Sequence, residues 1–233
     1  MFFIIIKYIF IFLCFLYLYI GYRYLNIYNS ELDKEVVFIE KNDINTGDIL
    51  LLNFNNDNIF TDGILGFKYY HAGIAVWEKG ELYIIEYAYY KKQKNGILKH
   101  NFNEFSYYNI DSVMMLNKLY IKDDSKEKRD NLGKNILNFY NSIKDEKDIH
   151  PYFGLDWYRF LTQEKDKYEK LDFKVSKHIT CLEILACMLC ELGIVKKNKS
   201  ISYLPNKFIG MKGFDFEKDY NYNKNFLCNL SFY

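Results

Sequence analysis

Proline and net charge are both scarce in this 233-residue chain, which has 2 prolines and a formal charge of +1 from 31 Lys and Arg against 30 Asp and Glu. The balance of charge argues against a strongly basic nucleic-acid binder, so we expect no nucleic-acid partner. Glycine is also sparse, at 12 residues, which excludes collagen-like and flexible-linker classes. Half of the residues are hydrophobic, which is enough to bury one globular core.

A disulfide framework is lacking as well, because the five cysteines are an odd number and Cys14 lies inside an apolar segment. Cys187 and Cys190 form a lone C-x-x-C pair, whereas a structural zinc site needs further ligands at a suitable spacing. A zinc site formed by this pair and His178 is the alternative. We interpret the pair as buried helix residues, since free cysteine behaves as a small hydrophobe. Neither a metal nor another cofactor is therefore expected.

The first 20 residues are apolar apart from Lys7 and the tyrosines, and this is about the length that a helix needs to cross the hydrocarbon core of a bilayer. Residues 21–25 (GYRYL) are bulky, whereas a secretory signal peptide, the rival interpretation, would end in a small-residue cleavage site. We predict an uncleaved single-pass anchor over residues 1–22. Its orientation stays open, because Lys7 and Arg23 place positive charge on both sides.

The rest of the chain divides into a polar segment, residues 23–42, expected to be a juxtamembrane stalk, and a folded domain over residues 43–233. Short apolar runs bounded by turn residues predict strands at residues 49–54, 71–77, 82–90 and 113–120. Helical spacing of apolar residues predicts helices at residues 130–142, 157–161 and 180–192. Strands followed by helices indicate an α+β fold, with a small antiparallel sheet packed against helices.

The start of the last predicted helix carries a candidate nucleophile. Residues 180–183 (TCLE) fit a capping box, with Thr180 as N-cap and Glu183 at the third helical position. Cys181 then occupies the first helical position, where free N–H groups and the helix dipole stabilise an anion and favour a thiolate. The alternative is a buried structural cysteine, like Cys187 and Cys190.

A nucleophilic cysteine needs a base, and the base needs an orienting group. If the turn after Glu78 pairs that residue with Glu81, then His71 and Glu86 lie diagonally on one sheet face, within reach of an imidazole and a carboxylate. Glu86 is also the single charge in an apolar run, which is costly unless it is paired. Pairing with His71 would hold the imidazole in one tautomer.

Three further residues complete the candidate site, and two of the remaining histidines are left outside it. His178 lies three residues before the candidate nucleophile and is either the competing base or a side chain that lines the substrate cleft. We assign Gly73, Thr180 and His178 to substrate binding. His100 and His150 lie in polar stretches and are expected to be surface residues.

Five short motifs occur in the order found in one known family. They are residues 47–51 (GDILL), 71–74 (HAGI), 83–88 (YIIEYA), 151–156 (PYFGLD) and 181–183 (CLE). Through them the chain resembles the permuted papain-like branch of the NlpC/P60 superfamily, which includes bacterial amidases of the YaeF/YiiX type and relatives in large DNA viruses such as poxviruses. The resemblance spans roughly residues 43–192, and the histidine precedes the cysteine, which is the permuted order.

The resemblance implies a thiol hydrolase in which Cys181 is the nucleophile, His71 the base and Glu86 its orienting acid. Its substrate would be an acyl amide, a peptide or a lipid, cleaved at an amide or ester bond. A lipid acyltransferase or phospholipase on the same fold is one alternative, because a membrane anchor makes a lipid substrate plausible. A catalytically retired viral membrane or envelope protein is another. The expected location is a membrane, of a virion or of a host cell.

Overall fold

The structure of the chain is a computed structural model that describes residues 2–32, 36–52, 71–88, 96–108, 114–144, 150–151, 166–167, 178–179, 181–196, 200–201, 208, 211 and 214–230. The first element is a helix of 31 residues, α1 (Phe2–Leu32). Within it, Ile5–Arg23 has a mean hydropathy of 2.0 and only 6 % of the span is buried. This helix is long and apolar enough to cross a membrane, a property that a signal sequence near the N-terminus shares.

The remaining elements form an α+β fold, as the sequence predicts. The main strands are β1 (Val36–Ile39), β2 (Ile49–Leu52), β3 (His71–Glu78), β4 (Glu81–Ala88), β5 (Gly96–Asn101), β6 (Met114–Ile121) and β11 (Tyr220–Leu230). The short strands are β7 (His150–Pro151), β8 (Asp166–Lys167), β9 (His178–Ile179) and β10 (Ser200–Ile201). The helices after α1 are a 3-10 turn (Lys41–Asp43), α2 (Phe102–Tyr108), α3 (Lys126–Ile143) and α4 (Cys181–Glu191).

The seven main strands form one mixed sheet in the order β1-β11-β6-β2-β3-β4-β5. Neighbouring strands are antiparallel except at one edge, where β1 runs parallel to β11. The short strands form two separate ladders, antiparallel β10–β8 and parallel β7–β9. The sheet is therefore larger than expected and is mixed, where the sequence predicted a small antiparallel one.

Buried apolar side chains fill both faces of the central strands. Ile49 and Leu51 of β2 pack in a cluster with residues of α3 and α4, whereas Leu50 and Leu52 pack in a second cluster that includes Phe105 of α2. All four residues of β2 are at most 1 % exposed. A strand buried on both faces reads as a continuous apolar run, and this explains why the sequence of β2 lacks alternation.

The four strands predicted from apolar runs are confirmed, but the structure contains further elements that the sequence analysis did not predict. β2, β3, β4 and β6 match the four predicted runs, apart from residues 53–54, 89–90 and 113, which lie outside the described part of the chain. The sequence analysis did not predict β1, β5, β11 or α2. β5 (GILKHN) and β11 (YNYNKNFLCNL) mix Asn and Lys with apolar residues, so their intrinsic preference for a strand is weak. Their extended conformation is determined by pairing with neighbouring strands.

The sheet begins inside the segment that was expected to be a stalk. Val36 pairs with Leu227 and Ile39 with Leu230, and only residues 33–35 separate α1 from β1. Part of the stalk segment therefore belongs to the sheet, because an edge strand can be recruited by a partner far along the chain.

Two of the three predicted helices fall on described residues. α4 (Cys181–Glu191) matches the prediction closely. α3 begins earlier than predicted, at Lys126, because the Ser125 hydroxyl accepts a hydrogen bond from the N–H of Lys128 and caps the helix. The helix predicted at residues 157–161 lies outside the described residues.

Candidate active site

The hairpin of β3 and β4 positions two of the three predicted catalytic side chains. Glu78 pairs with Glu81 across Lys79 and Gly80, which both have positive φ (52° and 83°). This conformation suits the two-residue turns that join antiparallel strands without a bulge. The register then runs unbroken along both strands, and it is the register predicted from the sequence.

The predicted diagonal pair is present. His71 Nε2 lies 2.6 Å from Glu86 Oε2, and both residues are buried, with 6 % and 3 % of their surfaces exposed. Burial alone lowers the pKa of His71, but the Glu86 carboxylate and the Cys181 thiolate outweigh this and raise it to about 10. His71 is therefore an imidazolium at neutral pH, placed between the Glu86 carboxylate and the Cys181 side chain.

Gly73 lies opposite Glu86 in the ladder and is buried. A Cβ at this position would lie 2.6 Å from Ile84 Cγ2, closer than real contacts allow, and 3.6 Å from the Cβ of Glu86. Glycine therefore lets Ile84 pack tightly beside the carboxylate. The predicted substrate-binding role of Gly73 stays a prediction, whereas its packing role beside Glu86 is visible in the structure.

Cys181 is the first residue of α4, as predicted, and is partly exposed, whereas the helix behind it is largely buried. The helix packs on β3 and β4, and this contact brings the cysteine to the histidine. The side chains of Cys181 and His71 are hydrogen-bonded. Because Nε2 of His71 is engaged by Glu86, Nδ1 is the ring nitrogen left for the thiol.

Tyr87 adds a polar group that the sequence analysis missed. It follows Glu86 on β4, so it points to the opposite sheet face, where it belongs to the core cluster on which Cys181 packs. The residue is 5 % exposed, and its hydroxyl has no hydrogen-bond partner within the described part of the chain. Burial, together with the Cys181 thiolate, raises the pKa of Tyr87 far above its ordinary value of 10.0. The hydroxyl therefore stays protonated and is a potential donor near the thiol.

His100 is the clearest correction to the sequence analysis. It was expected at the surface, but it is 7 % exposed and its Nε2 lies 3.4 Å from Oε1 of Glu86. Its Nδ1 lies 3.4 Å from Oε2 of Glu104, whose side chain is 45 % exposed. The expectation failed because His100 is flanked by Lys99 and Asn101, and only the pairing of β5 with β4 turns its ring inward.

Two further predicted site residues cannot be compared in full with the structure. Thr180 lies outside the described residues, so its predicted role as N-cap stays a prediction. His178 lies in β9, where its backbone pairs with His150 of β7. The substrate-binding role of His178 likewise stays a prediction.

The C-x-x-C pair lies in the buried part of α4. Cys187 and Cys190 are 2 % and 0 % exposed on α4, as predicted for buried helix residues. Within the described residues, no three His, Cys, Asp or Glu side chains come together in a way that could hold a metal ion.

Comparison with known proteins gives no relative for this chain: no protein-family model, no curated protein and no solved structure matches it. The chemistry of the site therefore rests on its own geometry. The site is a row of three contacting groups: a partly exposed thiol at a helix start, a buried imidazolium and a buried carboxylate. This is the arrangement of a nucleophile, its acid–base partner and an orienting group.

Proposed function

We propose that this chain is a cysteine hydrolase that cleaves acyl amide or ester bonds through Cys181, His71 and Glu86. The observation that carries the proposal is the position of the His71 ring, which bonds Cys181 on one side and Glu86 on the other. The order of the three residues along the chain supports a permuted papain-like fold of the NlpC/P60 type. The described sheet and the packing of α4 on β3 and β4 are compatible with that fold.

The resting state in this proposal is a thiolate–imidazolium pair, because His71 keeps its proton at neutral pH. The Cys181 sulfur attacks the acyl carbon and forms a C–S bond, while the carbonyl electrons move to the oxygen. When the oxyanion collapses, the bond to the leaving nitrogen or oxygen breaks. The proton on Nδ1 of His71 moves to that leaving atom, and a neutral imidazole remains.

The second half of the cycle releases the acyl group. Neutral His71 takes a proton from water, and the resulting hydroxide adds to the thioester carbon. Collapse of this intermediate breaks the C–S bond and restores the thiolate and the imidazolium, with a carboxylic acid as product. If an alcohol or amine takes the place of water, the same site is an acyltransferase, and an apolar N-terminal helix favours lipid acyl groups as substrates.

Two donors are available for the oxyanion. One is the backbone N–H of Cys181, which as an N–H of the first turn of α4 points outward from the helix start. The other is the Tyr87 hydroxyl, a buried donor in the cluster on which Cys181 packs. Donors aimed at a developing oxyanion in a water-poor site typically contribute about 10²-fold or more to the rate.

The test is site-resolved alkylation of the full chain in detergent micelles. Iodoacetamide is applied about two pH units below the ordinary thiol pKa of about 8.5, and each cysteine is followed by mass spectrometry. We expect Cys181 to react much faster than Cys187, Cys190 and Cys228. Cys228 is a useful internal reference, because burial raises its pKa to about 12.

Two variants complete this test. Cys181→Ala should abolish turnover of acyl esters, acyl amides and phospholipid vesicles while the circular dichroism spectrum is retained, and Cys187→Ala is the matched control on the same helix. His71→Ala should remove the fast labelling of Cys181. Turnover that survives in Cys181→Ala would refute the mechanism. Labelling of Cys181 no faster than that of the buried cysteines would instead favour a retired hydrolase scaffold in a membrane protein.

A further inference from the structure

Glu86 lies between histidines of the two strands that flank β4, with a hydrogen bond to His71 and a longer N···O contact to His100. Its Oε2 bonds His71 Nε2 at 2.6 Å, and its Oε1 lies 3.4 Å from His100 Nε2. The carboxylate has 0 % of its side chain exposed, and the two rings have 8 % and 9 % exposed. Each carboxylate oxygen therefore has its own imidazole neighbour in a site shielded from water.

The position of His100 follows from the strand register. His100 pairs with Ile84 of β4, while Glu86 pairs with Leu98, so His100 and Glu86 are diagonal neighbours on one sheet face. His71 reaches the same carboxylate from β3, on the other side of β4. The sheet order β3-β4-β5 thus places the carboxylate between the two rings.

The far side of His100 faces a second carboxylate. Its Nδ1 lies 3.4 Å from Oε2 of Glu104, on the first turn of α2. The N–H of Glu104 donates to the side-chain oxygen of Asn101 at 2.8 Å, which ties this turn to the end of β5. Since Glu104 is partly exposed, the row of side chains from Cys181 through His71, Glu86 and His100 ends at the protein surface.

We propose that His100 is a positioning residue, which fixes the plane of the Glu86 carboxylate so that His71 presents Nδ1 to Cys181. This inference rests on the proposed hydrolase function. A carboxylate held at one oxygen can still turn about its terminal torsion, which has a broad energy profile. A second imidazole at the other oxygen restricts that rotation and with it the orientation of His71, as outer partners of catalytic and metal-binding histidines do.

The test compares two replacements of His100 in the full chain in detergent micelles. His100→Leu fills the space without a donor, and His100→Gln places an amide N–H close to the position of Nε2. We expect kcat on an acyl ester to fall about 10-fold to 100-fold in His100→Leu with KM unchanged, because small misplacements of catalytic groups cost this much. His100→Gln should recover most of the loss. Lys99→Met, next to His100 on β5, is the matched control and should retain the wild-type kcat.

A spectroscopic readout separates this inference from the proposed function. The full chain is labelled with ¹⁵N-histidine, and the NMR signals of the His71 ring are assigned from their loss in His71→Ala. We expect these signals to shift or broaden in His100→Leu and to return in His100→Gln. This measurement does not need turnover, so it applies even if no substrate is cleaved. Unchanged His71 signals in a folded His100→Leu variant would overturn the inference, as would an equal loss of kcat in both variants.

Discussion

The two ends of the β3–β4 hairpin carry charge in opposite surroundings. At the turn end, Lys99 lies 2.7 Å from Glu78 and Lys41 lies 2.6 Å from Glu81, with side chains 24 to 60 % exposed. At the other end, His71 lies 2.6 Å from Glu86, with side chains 8 % and 0 % exposed. The distances are alike, so what differs between the ends is the access of water.

This difference separates ion pairs on the surface from a buried pair that has a chemical use in the proposed mechanism. Exposed pairs contribute about 0–1 kcal/mol, because water and salt screen them. Burying a charged pair costs several kcal/mol in lost hydration for each ion, and an apolar replacement is often as stable. Compared with an apolar pair of similar size, the His71–Glu86 pair therefore adds little stability. A perturbed imidazole beside a thiol is instead typical of a reactive site.

Glu86→Gln is expected to give the largest effect, and Glu81→Gln at the turn end is its matched control. The first variant leaves His71 without its anion, so we expect kcat to fall about 10³-fold or more. We expect the free energy of unfolding to fall by about 3 kcal/mol, because one partner of a buried pair is lost. Glu81→Gln should change the free energy of unfolding by less than about 0.5 kcal/mol. Ester turnover and urea denaturation measure both effects, and equal effects at both ends would contradict this comparison.

The pH dependence of stability should also separate the two ends. The pKa of His71 is about 10 in the folded chain, above its ordinary value of 6.5. The imidazolium therefore stabilises the fold fully below about pH 6.5, and this contribution is lost as the pH rises through about 10.

Urea denaturation of the full chain in micelles, repeated between these pH values, tests this prediction. The difference in unfolding free energy between wild type and His71→Ala should shrink as the pH rises. The Glu81→Gln variant should stay parallel to wild type up to about pH 9, below the ordinary lysine pKa of about 10.4. A constant difference for His71→Ala would show that the ring is neutral in the folded protein.

Tyr87→Phe is expected to give the smallest effect, and it tests the buried end from the other sheet face. Loss of one oxyanion donor should lower kcat about 10-fold, which is less than the about 10²-fold typical of such donors, because the N–H of Cys181 remains. Stability should be unchanged or higher, since the hydroxyl is buried without a hydrogen-bond partner among the described residues. Tyr83→Phe, on the same face of β4, is the control. A marked loss of stability in Tyr87→Phe would indicate a structural role instead.

The parts of the site that could be predicted depend on local signals. The short turn at Lys79 and Gly80 determines the register of the hairpin, and the register determines that His71 and Glu86 share a face. Cys181 was placed correctly at a helix start because a capping-box pattern at residues 180–183 (TCLE) precedes a long apolar run. His100 could not be placed in this way, because residues 89–95 intervene between β4 and β5 and its polar neighbours are typical of a surface segment.

The sequence by itself determined the apolar N-terminal helix, the α+β class and the diagonal relation of His71 and Glu86, because each depends on hydrophobic length or on a turn of two residues. Only the tertiary structure decided that β1 pairs with β11 and that β5 buries His100 against Glu86. It also decided that α4 brings Cys181 to His71. These contacts join segments far apart in the chain, and local sequence preference carries no information about which distant partner will bury a polar side chain.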